Sequence, residues 1–358
     1  MQRNKNFFEG QKIYVGIDVH ARQWHVFASP WPGIGMKAFS MPPSAKGLKT
    51  YLEKQFPGGT FLSAYESGFC GFSSHRQLTE EGIENIVFNA ADLKKSQKEE
   101  LRKTDALDCR AIWENLCKGD IRPIYVPTPQ QEEDRELIRG RETAVKDLRR
   151  CRQRVKMFLH KLGIDVPDEF KGKGSSWSNS FVSWLGVLAD SLNGGNSIKL
   201  RSQLVLMAQL KTQIMAYNKE IHLVMDKRHA EMYSLLTSVP GIGKLLAAKL
   251  CLELMDFNRF QDARKLAAYV GLVPDCRASD KKVVVLGNTI RRNPILRVAL
   301  IEAAWVGIRK DPALTADFHK HRAAGQHANL AIIATARKLV NRIFYVWRTK
   351  KKYELSKE

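Results

Sequence analysis

Four carboxylates in the first third of the chain are spaced so that they could hold a hard cation. Asp18 closes the apolar run in YVGIDVH, and Glu66 closes another in TFLSAYE, just before Gly68. Asp105 and Asp108 lie three apart in KTDALDCRAIW, so a helix would carry both on one face. A carboxylate where a strand leaves an α/β sheet stands at the edge where such sheets bind ligands. Like charges on one face repel unless a cation neutralises them. Four acids without a His or Cys cluster suit oxygen-seeking ions, magnesium above all. Two such ions stabilise the attacking and leaving oxygens in phosphoryl transfer. Taken singly, an Asp after a strand is usually a cap, and an acidic helix pair is usually solvated; the combination in one unit carries the reading. Asp92 and Glu99, in the charged run DLKKSQKEELRK, rank below these four.

The last third offers a second chemistry. LLTSVPGIGKLLAAKLCLEL has an apolar helix end, then Pro240-Gly241-Ile242-Gly243, then Lys244 opening another apolar helix. This is the pattern of a helix-hairpin-helix, in which Gly241 and Gly243 let backbone N–H groups approach a phosphate beside a helix N-terminus. A tight interhelical turn without a ligand has the same pattern. Further on, Ser279 sits in a polar loop ringed by Arg277, Lys281, Lys282, Arg291 and Arg292. Neighbouring cations can align and activate a hydroxyl while neutralising a phosphate. Serines in basic surface loops are common, so residue types alone make Ser279 a weak candidate.

The elements that must position these groups separate into three regions. Residues 1–127 read as α/β, with strands predicted at 13–19, 24–28, 61–65 and 85–88 and helices at 44–56, 71–81 and 104–117. Residues 128–233 read as a helical linker, with two apolar stripes at 3-4 spacing. One runs from Val145 to Leu162 and is broken near Arg152; the other runs from Leu200 to Met225. The join between them, with KGKGSSWSNS and NGGNS as flexible loops around a short helix at 181–192, is too long for a tight antiparallel turn. The stripes fit a local bundle or an intermolecular coiled coil equally well. Residues 234–358 read as mainly α, with one extended run at 283–286. Their last helix, ARKLVNRIFYVWRTKKK, would bury Leu339, Ile343, Val346 and Trp347 and turn seven basic residues outward, for phosphates or for solvent alone.

Composition narrows the partners. Fifty-eight Lys and Arg against 37 Asp and Glu give a net charge of +21, which favours a polyanion and repels itself when none is bound. No long basic tail accounts for the excess. With no run of 18 apolar residues and no apolar signal segment at the start, a cytoplasmic protein is expected. Six scattered cysteines without a C-x-x-C pair suit reduced thiols rather than zinc ligands or disulfides.

The acids and elements of the first region resemble the RNase H-like fold of the RuvC type. The order YVGIDVH, AYESG, KTDALD, VPGIG, YVGLVP and LGN…LR…L.EAAW further resembles the IS110 insertion-sequence family, relatives of the pilin-gene invertase Piv, along nearly the whole chain. The resemblance implies that Asp18, Glu66, Asp105 and Asp108 form a magnesium-binding DEDD tetrad. It implies that the middle is a coiled-coil linker and that Ser279 attacks DNA and becomes covalently joined to it. Family members pair donor and target DNA through a structured bridge RNA and work as tetramers, so a DNA recombinase with RNA and homo-oligomeric partners is expected. Where relatives usually have glycine after this serine, the chain has Asp280. Two other readings compete: a RuvC-like junction nuclease that uses water and no serine, and a non-catalytic nucleic-acid scaffold.

Overall fold

A computed structural model describes residues 7–32, 37–93, 105–172, 177–279, 282–288 and 292–355. The chain forms two compact units, Met1–Val126 and Pro127–Glu358.

The first unit is a five-stranded mixed sheet in the order β3-β2-β1-β4-β5. Strands β1 (Lys12–Val19), β2 (Trp24–Ser29) and β3 (Phe39–Met41) run as an antiparallel meander, while β4 (Thr60–Glu66) and β5 (Glu84–Phe88) lie parallel to β1. Short β3 was not expected, since three residues give too little alternation to register. Side chains alternate across the sheet, as strand geometry demands. Ile13, Val15 and Ile17 pack with Leu48 and Leu52 of α1 (Ala45–Gln55) and Leu78 of α2 (Ser73–Glu80). Tyr14, Leu62 and Ala64 face the other way, towards Ile112 and Leu116 of α3 (Asp105–Cys117). Gly16 lies on that second face and lets α3 settle onto the strand. A Cβ there would stand 2.1 Å from the Cys109 carbonyl oxygen and 2.6 Å from the Trp113 nitrogen.

The second unit is helical apart from one hairpin. Thr128 caps α4 (Pro129–Lys161) in a capping box with Gln131. After α5 (Asn179–Ser191), α6 (Gly194–Arg228) runs back along α4. Pairs at Asp134–Arg228, Arg141–Asn218 and Cys151–Gln203 fix an antiparallel alignment. Leu148, Val155 and Leu159 thereby meet Leu200, Met207 and Leu210 within one chain. The long join did not prevent this pairing, because NGGNS, expected as a loop, starts α6 and α5 packs into the same core. At the break in the α4 stripe, the Arg152 guanidinium lies 5.4 Å from the centre of the Trp177 ring.

Helices α7 (Ala230–Thr237), α8 (Lys244–Leu254), α9 (Ala263–Val270), α10 (Pro294–Gly307), α11 (Pro312–Ala323) and α12 (Ala328–Thr349) share one core with Ile138, Ile221 and Met225 from the long helices. Between α9 and α10 the chain forms a hairpin of β6 (Pro274–Ser279) and β7 (Lys282–Asn288). The expected extended run at 283–286 is thus half of a pair. Its partner PDCRAS was hidden by a leading proline and polar composition.

Candidate functional site

The sheet's own geometry brings two of the four acids together. Ile17 of β1 lies beside Tyr65 of β4 in parallel register, so the next residues, Asp18, one before the end of β1, and Glu66, the last of β4, come side by side. By alternation both belong to the face covered by α3. That helix runs against the direction of β1. Trp113 Nε1 donates to Ser29 O at 3.1 Å near the start of β1, whereas the Cys109 thiol, a turn earlier, feels the charges of Asp18 and Asp108. The first turn of α3, which bears Asp105 and Asp108, therefore lies above the strand ends that carry Asp18 and Glu66. Asp108 is half-buried and Glu66 is exposed. The Asp105 side chain falls outside the described residues, as does Glu99. Among the described residues no three acidic, His or Cys side chains are close enough to hold a metal ion. Asp92 ends a short 3-10 turn capped by Asn89.

Two histidines join this corner and were not anticipated. His20 Nε2 lies 3.1 Å from Asp18 Oδ2. His25, opposite Asp18 on β2, meets His20 edge to face at 5.6 Å and Ser40 Oγ at 2.9 Å through Nδ1. The signal was present in the tight β1–β2 turn, closed by His20 N donating to Gln23 O, which brings positions 18, 20 and 25 to one end of the sheet.

Three of the described thiols are held protonated. Burial, and behind it the charge of Asp18, pushes Cys109 up to about 12, and burial does the same to Cys117 and Cys251. At pH 8 each carries about a thousandfold less thiolate than an ordinary cysteine. Iodoacetamide labelling followed by peptide mass spectrometry is expected to modify these three only after denaturation. Since their folded values lie above the unfolded ones, their share of stability is intact below about pH 9 and is lost towards pH 12. Rapid labelling of native Cys109 at pH 8 would contradict this placement.

In the second unit the two motif glycines have different roles. Gly241, at φ +93°, is needed for packing: a Cβ would meet Ala303 O of α10 at 2.4 Å. Gly243 has nothing within 4 Å of its Cβ position and precedes exposed Lys244 at the start of α8. Ser279 is the last residue of β6, opposite Lys282 at the hairpin tip, rather than in a loop as expected. Arg277 lies four positions from the β7 end, paired with Val284. The side chains of Ser279, Arg277 and Lys282 fall outside the described residues, and so do Asp280, Lys281 and Arg291. Arg292 is described and exposed.

With this arrangement established, similarity to known proteins gains a structural frame. The profile of the "Transposase IS116/IS110/IS902 family" matches residues 233–320, which include the hairpin, and that of the IS110-type DEDD transposase matches residues 15–164, which include all four acids. The chain belongs to the IS110 family of transposases. Two Sinorhizobium fredii relatives carrying the transposase name are each 28% identical, over 67% and 84% of this chain and over 57% and 81% of their own lengths. The transposase for insertion sequence element IS1111A of Coxiella burnetii is 26% identical over 67% of this chain and 64% of its own length. The match thus spans less than two thirds of the first and third of these relatives.

In this IS110-family chain the terminal helix is less available to phosphates than its composition implied. Leu339, Ile343 and Val346 are buried as expected. Lys338, however, pairs with Asp317 at 3.4 Å, and Arg342 pairs with buried Asp311, which also accepts from Tyr353 Oη at 3.0 Å. Arg337, Arg348 and Lys350 to Lys352 remain exposed. Among the described residues no helix is long and apolar enough to cross a membrane.

The open space at Gly243 gives a clean test of the hairpin motif. Gly243→Ala is expected to leave the melting temperature unchanged, because its φ of −83° and empty surroundings accept a methyl group. If backbone N–H groups at α8 approach a phosphate, duplex DNA affinity should fall roughly fivefold, equivalent to about 1 kcal/mol. Unchanged affinity in an anisotropy titration would leave the motif as a packing turn.

Proposed function

We propose that this chain is a DNA transposase that cuts and rejoins strands through a covalent serine link, with an RNase H-like domain holding magnesium. The observation that carries the reading is the placement of Asp18 and Glu66 on adjacent parallel strand ends, beneath the first turn of α3 with Asp105 and Asp108, in a member of a transposase family. The donor set fits a hard divalent ion, since all four groups offer carboxylate oxygen. Magnesium bound there would supply electrophilic stabilisation of phosphate oxygens.

The chain's own residues do the rest. Ser279 Oγ forms a bond to phosphorus while the bond to one strand oxygen breaks, and that oxygen leaves with a proton. A hydroxyl of a second strand then attacks the same phosphorus and releases Ser279, so no bond energy is lost to water. The basic residues around the hairpin, Arg277, Lys281, Lys282, Arg291 and Arg292, neutralise the phosphates, and α8 with Lys244 steadies the duplex. Following the family resemblance, a structured bridge RNA pairs with donor and target DNA, and the active form is a homo-oligomer. The net charge of +21 supports two polyanionic partners.

The deciding experiment incubates the purified chain with end-labelled DNA spanning the ends of its own element, with its flanking RNA, and resolves the products on a denaturing gel. A protein-linked label that forms with magnesium and disappears with chelator is expected. Free DNA ends without linkage would replace this reading with a junction nuclease.

A further inference from the structure

Just after the hairpin that carries Ser279 stands an arginine with a buried nitrogen that has no partner among the described residues. Arg297 is the fourth residue of α10 and is only 8% exposed. Its Nη1 is sealed from solvent with no acceptor in reach. Arg135 and Arg152 also bury an Nε without a partner, but Arg297 is the residue of the three whose whole side chain is buried, and the buried carboxylates described in this unit are all answered. Glu253 binds Arg139 and accepts from Asn293 Nδ2 at 2.8 Å, Asp311 binds Arg342, and Asp134 binds Arg228. Near Arg297 the charge that registers is another cation, Arg292. Burial first, and then that neighbour, lowers its pKa from the ordinary arginine value, yet a guanidinium does not give up its proton. A buried cation beside a like charge weakens the fold unless an anion arrives to complete it.

The position of this arginine is fixed by the hairpin's own anchors. Asn293 N donates to Tyr269 O at 2.9 Å, and the Arg292 side chain lies where a Cβ on Gly271 would stand, 2.4 Å away. Arg292 therefore lies where the chain enters and leaves the hairpin, with Arg297 close enough to feel its charge, whereas Ser279 pairs with Lys282 at the tip. Five residues of strand separate base from tip, roughly 16 Å at about 3.3 Å per residue. The phosphates of one DNA strand follow every ~3.4 Å of duplex axis, so the arginines cannot share the phosphate that Ser279 reaches.

We propose that Arg297, with Arg292, binds a backbone phosphate of the DNA strand about five nucleotides from the bond that Ser279 attacks. The planar fork suits a phosphate, which supplies the charge that the protein omits. The distance rests on the serine reading above; the binding does not.

Salt-dependent binding of the full chain to a fluorescein-labelled random-sequence duplex tests this. Arg297→Met should lower the slope of log affinity against log salt by about one and weaken binding on the order of tenfold. It should also raise the melting temperature, because an unanswered charge leaves the interior. Arg297→Lys should keep the wild-type slope with weaker binding. An unchanged slope for Arg297→Met, a slope change seen only with an RNA hairpin, or a lower melting temperature with DNA binding intact would each overturn the proposal. Ser279→Ala should retain the wild-type slope. If the serine reading fails, the linked product is missing while these slopes persist, so the two failures are distinguishable.

Discussion

Ser279→Ala is expected to yield no protein-linked DNA, a loss on the order of a thousandfold or more, while the chain folds and binds duplex normally. A methyl group cannot form the bond to phosphorus, and removal of a nucleophile deletes the covalent route outright. Asp18→Asn is expected to match that loss by another path. It keeps the shape of the side chain and removes one of the charges that would hold the cation. The two variants differ in what else they disturb. Asp18→Asn should also change the corner shared with His20, whereas Ser279→Ala should leave magnesium binding, measured by calorimetry, untouched. Wild-type linkage from Ser279→Ala would end the serine assignment, and magnesium-dependent linkage at full rate from Asp18→Asn would end the metal assignment.

These expectations depend on features that were legible in the sequence to different degrees. The strands bearing Asp18 and Glu66 could be read because Ile13, Val15 and Ile17, and Phe61 and Tyr65, give apolar runs that end in an acid. What could not be read is that β1 and β4 are neighbours in parallel register, since pairing is a long-range choice among strands with similar patterns. His25 was within reach of the sequence, because the tight β1–β2 turn that pairs it with Asp18 is local. The α4 and α6 stripes announced that each helix needed a partner, but not that the partner lay in the same chain. Polar pairs such as Arg141–Asn218, which carry no periodic signal, mark the alignment. The isolated cation Arg297 was hidden among apolar residues of α10, where its sequence neighbours Leu296 and Val298 gave no hint of a missing anion.

The role of Gly16 leads to the other large effect. Gly16→Ala is expected to destabilise the first unit by about 3 kcal/mol or more, near the upper range for overpacked cores. It is expected to abolish metal-dependent linkage without altering any carboxylate. The added methyl group would collide with main-chain atoms of α3, the Cys109 oxygen at 2.1 Å and the Trp113 nitrogen at 2.6 Å, and neither can rotate away. The helix must lift from the sheet, and its first turn carries Asp105 and Asp108 with it. Trp113, buried against Phe27 at 4.9 Å between ring centres, would report the movement through its fluorescence. Gly243→Ala is the matched control for melting, since the same chemical change there meets open space. A Gly16→Ala chain with wild-type melting and full linkage would mean that α3 does not rest on β1. The acids of α3 would then lose their route to Asp18 and Glu66.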